Sequence, residues 1–322
     1  MVFFVESIKN KRARNEDNYC HMELRINHEA SVIAYAVADG MGGLTAGDDY
    51  AKKAISIWYE ELVRLLMSDH FRACSLDTQI DSLKEFSKNV FSPINEKLYQ
   101  MGMDAGIRGG TTLSTAIFFW DTWIFANCGD SPIYFMRNRH LELASQIQNL
   151  AWQMVREGKT QEGSLLFEQN KNRLLQYLGR REEVLPYSFC LDAKKVDLVL
   201  MGTDGAFGDM TREQMEGILC QDQKTDKVLS DLLQFARNLG ETDNQTAMLI
   251  YPSTGQNSVM ADKKERMEMA DMSLVGKNDT QEERREILFE SEKRNQRSSY
   301  YRSIQEESMR ERFKSFWKGR RS

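Results

Sequence analysis

With 322 residues, 41% of them hydrophobic and 28% charged, the chain has the make-up of a soluble globular protein of one large domain or two small ones. Its 43 Lys and Arg against 48 Asp and Glu leave a formal net charge of −5, which does not favour nucleic acid as a partner. No apolar run approaches the roughly 20 residues that cross a bilayer. The opening "MVFFVESIKNKRARNED" has too short an apolar segment for a signal peptide, and five scattered cysteines without zinc-like or redox spacing fit a reduced, cytoplasmic protein.

Residues 1–252 read as folded. The β-rich runs "VFFV" and "SVIAYAVA" come first. Residues 48–67 then repeat apolar positions at Ala51, Ala54, Ile55, Trp58, Leu62 and Leu65, which predicts a helix. A second stripe runs over 79–101 through Ile80, Leu83, Phe86, Val90, Ile94 and Leu98, and Pro93 is expected to kink or split it. The strand signals "TTLSTAIFFW", "TWIFANCG" and "PIYFM" follow. Residues 145–180 form a polar, partly helical insert. "PYSFCL", "VDLVLMG" and "TAMLIY" close the folded part. Strands, two helices, strands, an insert and strands again suit an α+β layered domain better than alternating βαβ units.

From about residue 253 the composition shifts to Glu, Lys, Arg, Ser and Met. Residues 253–322 are expected to be a charged tail, partly helical or disordered. Near its end "RERFKSFWKGRR" sets Phe313, Phe316 and Trp317 on one helical face among basic residues. Such a face could dock on a partner or an anionic membrane surface; a solvated tail is the plainer reading.

Most hydrolytic signatures are missing. The four histidines (His21, His28, His70, His140) sit in polar settings, no serine occupies a G-x-S-x-G elbow, and "GKT" at 158–160 lacks the leading glycine of a P-loop. Carboxylates remain. Glu16 and Asp17 follow Arg12 in "RARNED". Asp39 ends "VADG", Asp130 ends "NCGD", Asp204 ends "VLMGTDG", and Asp243 precedes the last strand in "ETDNQT". Each alone is an ordinary turn residue at a strand edge. Together they could converge on one end of a sheet, where their repulsion calls for a cation. Oxygen ligands without histidine suit Mg²⁺ or Mn²⁺ over zinc. At this level a metal site and a set of unrelated turns both stay open.

The ordered series "RARNEDNY", "VADGMGG", "GGTTLSTAIF", "NCGDSPIYF", "NRLLQYLG", "LVLMGTDGAF" and "ETDNQTAMLI" resembles the metal-dependent protein serine/threonine phosphatases of type 2C in their bacterial form, across roughly residues 2–252. The resemblance implies an α+β fold, a β-sandwich of two antiparallel sheets flanked by helix pairs, with the insert as a flap beside the site. It implies two divalent cations, Mn²⁺ or Mg²⁺, and hydrolysis of phosphoserine and phosphothreonine on proteins by a water bridging them. By the same resemblance Arg12 binds the substrate phosphate and Asp39 bridges the metals. Glu16, Asp17, Gly40 (through its carbonyl), Asp204 and Asp243 complete the metal set, and Asp130 matches an acid linked to a third, weaker ion. Gly110, Thr111 and Thr112 match a strand-start motif read as structural. The implied partners are phosphoproteins, among them a Ser/Thr kinase and its targets.

Three positions depart from the family pattern. Met41 stands where some eukaryotic members carry a histidine two residues after the bridging aspartate. The insert opens with "ASQIQN" in place of an Asp-His-Ser-like sequence. "GTDGAFGDM" is one residue longer than the usual turn. The competing reading is a non-catalytic pseudophosphatase or phosphoprotein-binding scaffold.

Overall fold

A computed structural model of the chain describes residues 1–27, 30–42, 47–220 and 226–252. His28, Gly43 and the tail from residue 253 lie outside the described residues. The elements run β1 (Val2–Ile8), β2 (Asp17–Arg25), β3 (Ser31–Met41), α1 (Gly47–Met67), α2 (Asp69–Ala73), α3 (Leu76–Asn89), α4 (Phe91–Ala105), β4 (Gly110–Thr111), β5 (Leu113–Phe119), β6 (Thr122–Cys128), β7 (Ile133–Arg137), β8 (His140–Leu143), α5 (Leu150–Arg156), α6 (Leu165–Glu168), β9 (Tyr187–Asp192), β10 (Leu198–Gly202), α7 (Asp204–Phe207), α8 (Arg212–Leu219), α9 (Asp226–Asn238) and β11 (Gln245–Tyr251). One sheet has the order β1-β11-β10-β7-β8. The other has β2-β3-β5-β6-β9, with β4 paired to β3. Every pairing is antiparallel.

The long apolar runs arise because each central strand is covered on both faces. Side chains alternate across a strand. On β3, Val32, Ala34, Ala36 and Ala38 belong to a core shared with α1, α3 and α4. Ile33, Tyr35 and Val37 belong to the core between the sheets. On β11 the same division sends Ala247, Leu249 and Tyr251 toward α7–α9 and Met248 and Ile250 between the sheets. The result is four layers: helices, sheet, sheet, helices.

The helix stripe of residues 48–67 is α1, with Ala51, Ala54, Ile55, Trp58 and Leu62 buried. The second stripe is divided at Val90, and Pro93 falls in the first turn of α4, where its missing N–H costs no helical bond. Gly106, at φ 66°, closes that helix in the left-handed region. β2 and β8 have no apolar run to announce them, being short or half-exposed. The helix α9 has a stripe, Val228, Leu229, Leu232, Leu233 and Ala236, that the strand-centred reading passed over. His21, exposed on the edge strand, also packs its ring on two aromatic neighbours, with centroids 4.1 Å from Phe3 and 5.0 Å from Tyr35. Among the described residues no helix is long and apolar enough to cross a membrane.

Candidate active site

The site begins with strand register. In the β2–β3 pair Asp17 lies directly opposite Asp39. Like charges so placed repel, so their retention needs another cause than sheet stability. The Asp39 backbone is fixed on both sides. Its N–H donates to Thr112 Oγ1 (3.0 Å), and its carbonyl accepts from Thr112 N–H (2.9 Å) and from Thr111 Oγ1 (2.8 Å). The two threonines thus hold the end of β3, in keeping with their structural reading.

Asp17 is buried, at 5% exposure. Its Oδ2 accepts a hydrogen bond from Thr203 Oγ1 (2.9 Å), while its buried Oδ1 has no partner. Thr203 closes β10 onto the same spot: its hydroxyl also accepts from Thr246 N–H (3.1 Å). The next residue, Asp204, opens α7 at an exposed position, and Gly205 N–H donates to its Oδ1 (2.7 Å). Asp130, just past β6, is buried and receives one contact, from Asn149 Nδ2 at 3.5 Å.

Electrostatics link these acids. Burial, with the charges of Asp204 and Asp243 behind it, pushes Asp17 up to about 7. Burial and then Asp204 push Asp130 up to about 8. Asp39 is raised well above the carboxylate range, first by burial, then by Asp204 and Asp17. The four carboxyl groups therefore share one negative potential.

The loop 9–16 brings in the remaining residues. Asn244, itself buried, donates from Nδ2 to the carbonyls of Lys9 (2.9 Å) and Arg14 (2.8 Å), and its Oδ1 accepts from Glu16 N–H (2.9 Å). Glu16 is thereby placed beside β3, with its carbonyl accepting from Gly40 N–H at 3.2 Å. A Cβ on Gly40 would come within 2.1 Å of the Gly47 carbonyl oxygen and 2.6 Å of that of Glu16. Only glycine lets three backbones meet there. Arg12 forms an ion pair with Asp243 (2.6 Å), so it touches a predicted metal ligand directly. Asp243 holds its guanidinium above its ordinary pKa, with smaller help from Asp39 and Glu16.

Arg12, Glu16, Asp17, Asp39, Gly40, Asp130, Asp204 and Asp243 thus come from five separate stretches to one end of the sandwich. Among the described residues no three Asp, Glu, His or Cys side chains are drawn into a finished metal cage. The fit to a hard divalent cation rests on two features. The donors are all oxygen, and Asp17 Oδ1 is a buried acceptor left without a hydrogen-bond donor. Sequence reasoning missed Thr203, Asn244 and Asn149, whose roles are to hold other groups. The signal for Thr203 was a hydroxyl residue immediately before a strand-ending acid, the usual cap of a following turn.

Two antiparallel sheets between helical layers, with acids gathered at one end, define the sandwich class of the type 2C phosphatases. Residues 1–149 match the family described as Protein phosphatase 2C. The protein phosphatase PhpP of Streptococcus pneumoniae is 24% identical over 253 residues, spanning 77% of this chain and 96% of that protein. In fold, the chain resembles the serine/threonine phosphatase of S. agalactiae, with TM-score 0.68, 23% identity, and 78% and 98% of the two chains covered. It also resembles the catalytic domain of the phosphatase PstP in complex with two manganese ions, with TM-score 0.61, 22% identity, and 78% and 97% covered. Motif order, fold and these matches agree in their similarity to the bacterial type 2C protein phosphatases.

Proposed function

We propose that the acidic end hydrolyses phosphoserine and phosphothreonine on proteins, using two divalent cations, Mn²⁺ or Mg²⁺, held by Glu16, Asp17, Asp39, the Gly40 carbonyl, Asp204 and Asp243, with Asp130 serving a third. The observation that carries this reading is the register pair Asp17–Asp39 facing Asp204, a concentration of negative charge with a free buried oxygen. When bound, such cations neutralise that charge and supply an activated water for in-line attack on phosphorus.

The chain's own residues do the rest. Arg12 is exposed and engages Asp243 through one terminal nitrogen, leaving further guanidinium N–H groups to grip phosphate oxygens in a planar fork. Thr111 and Thr112 fix the Asp39 backbone, and Thr203 orients the Asp17 carboxylate. Among the described residues neither a cysteine nor a histidine approaches these groups as a nucleophile, which suits direct attack by water without a covalent phosphoenzyme. The implied partners are phosphoproteins, with a Ser/Thr kinase and its targets the first to test.

The test is Mn²⁺-dependent phosphate release from a phosphothreonine peptide, with a chelator control. Asp39→Asn and Asp204→Asn should each lower turnover by about 10³-fold. Wild-type rates in both variants would refute the assignment. Metal binding by calorimetry without any phosphate release would favour the pseudophosphatase alternative.

A further inference from the structure

Four of the six residues from Lys9 to Arg14 are cationic, in a chain whose net charge is −5. Arg12 is spoken for by Asp243. Lys9, Lys11 and Arg14 are exposed, and among the described residues none of them has an ion-pair partner. A free basic stretch is usually a mobile solvated one, but this stretch is pinned. Asn244 holds the Lys9 and Arg14 carbonyls, Lys11 N–H donates to Thr242 O (3.3 Å), Arg12 N–H donates to Lys9 O (3.2 Å), and Asn10 Nδ2 donates to Glu241 O (2.9 Å). The backbone of the whole cationic loop is thus stapled to residues 241–244, at the rim of the acidic end.

From this geometry we infer that the loop 9–14 is a substrate-selecting rim that favours phosphopeptides with Asp or Glu close to the phosphorylated residue. The inference rests on the phosphatase reading. A phosphate held on Arg12 brings the neighbouring peptide residues past Lys11 and Arg14, which flank Arg12 by one and two positions. An extended peptide advances about 3.3 Å per residue, so acidic side chains within two or three positions of the phosphoresidue meet these cations. Without such a rim the acidic end would repel the same peptides. The cations reverse the sign of the local field at its entrance and raise the encounter rate.

The experiment uses the full chain with Mn²⁺ and three phosphothreonine peptides of equal length, flanked by Asp/Glu, by Ser/Ala or by Lys. We expect kcat/KM for the acidic peptide to exceed that for the neutral one about fivefold at low salt, with the gap shrinking at high salt as the charges are screened. The double variant Lys11→Glu/Arg14→Glu should abolish or reverse the order while leaving p-nitrophenyl phosphate turnover and the melting temperature near wild type. Lys9→Gln/Lys11→Gln, a milder change, should reduce the preference by about half. Equal kcat/KM on all three peptides, or an acidic preference that survives charge reversal, would overturn the inference and leave the phosphatase reading standing. Loss of p-nitrophenyl phosphate turnover in the wild type would overturn both.

Discussion

The space between the two sheets and the acidic end of those sheets are built from the same strands, yet burial acts on them with opposite sign. Between the sheets, Tyr35, Trp123, Phe125, Ile133, Val199 and Ile250 are buried together, and Trp123 stacks on Phe125 at 5.6 Å. Removing that surface from water is what stabilises the fold. Four residues beyond Tyr35 on β3, burial falls on Asp39, opposite Asp17, and there it raises the free energy of the charged state. The strand tolerates the second because of the first. A well-packed core can carry a destabilised end.

The comparison predicts that activity and stability separate between the two regions. The largest effect is expected at Asp39. Asp39→Asn should cost about 10³-fold in turnover, while the metal-free protein becomes no less stable, because one of several repelling charges is gone. A substantial drop in the urea midpoint would break the comparison. Next comes Phe125→Ala, which should destabilise by about 3–5 kcal/mol through the cavity it leaves. Turnover per folded molecule should be nearly unchanged, provided that it is measured well below the melting temperature.

The third effect is a pH dependence of the chelated protein. Asp17 and Asp130 titrate near 7 and 8 when folded, against about 3.9 in the unfolded chain. Between those values the folded state binds more protons than the unfolded one. Their contribution is therefore least unfavourable below about pH 4, and stability falls as pH rises from there to about 8, levelling off above it. Added Mn²⁺ should flatten the slope. Urea midpoints of the chelated protein that climb from pH 5 to pH 8.5 would contradict this. The smallest effect is at Thr203. Thr203→Val removes the donor to Asp17 and should weaken Mn²⁺ binding about tenfold by calorimetry, with Thr203→Ser restoring it. Unaltered Mn²⁺ affinity in the valine variant would show that Thr203 only packs.

Several parts of this arrangement were legible in the chain order. The apolar runs "SVIAYAVA" and "TAMLIY" marked strands, and the stripe of residues 48–67 marked a helix. Acids at strand ends marked candidate ligands. Other parts were not. β2 is a half-exposed edge, so its residues carry no run of apolar side chains, and the register that sets Asp17 against Asp39 depends on a partner strand with its own apolar pattern. Asn244 looked like one more turn residue in "ETDNQT". Only the approach of a loop more than 220 positions away gives its amide three backbone groups to hold.

The sequence by itself determined the periodicities, because alternation and the 3.6-residue repeat are local consequences of which side chains avoid water. It also determined which residues could bind a hard cation, because that is a matter of chemistry. The tertiary structure decided which of those residues meet. Arg12 with Asp243, Thr203 with Asp17, and Gly40 against Glu16 and Gly47 are contacts between segments far apart in the chain. They exist because two sheets close over a common core and bring their ends together, and no local pattern encodes that closure.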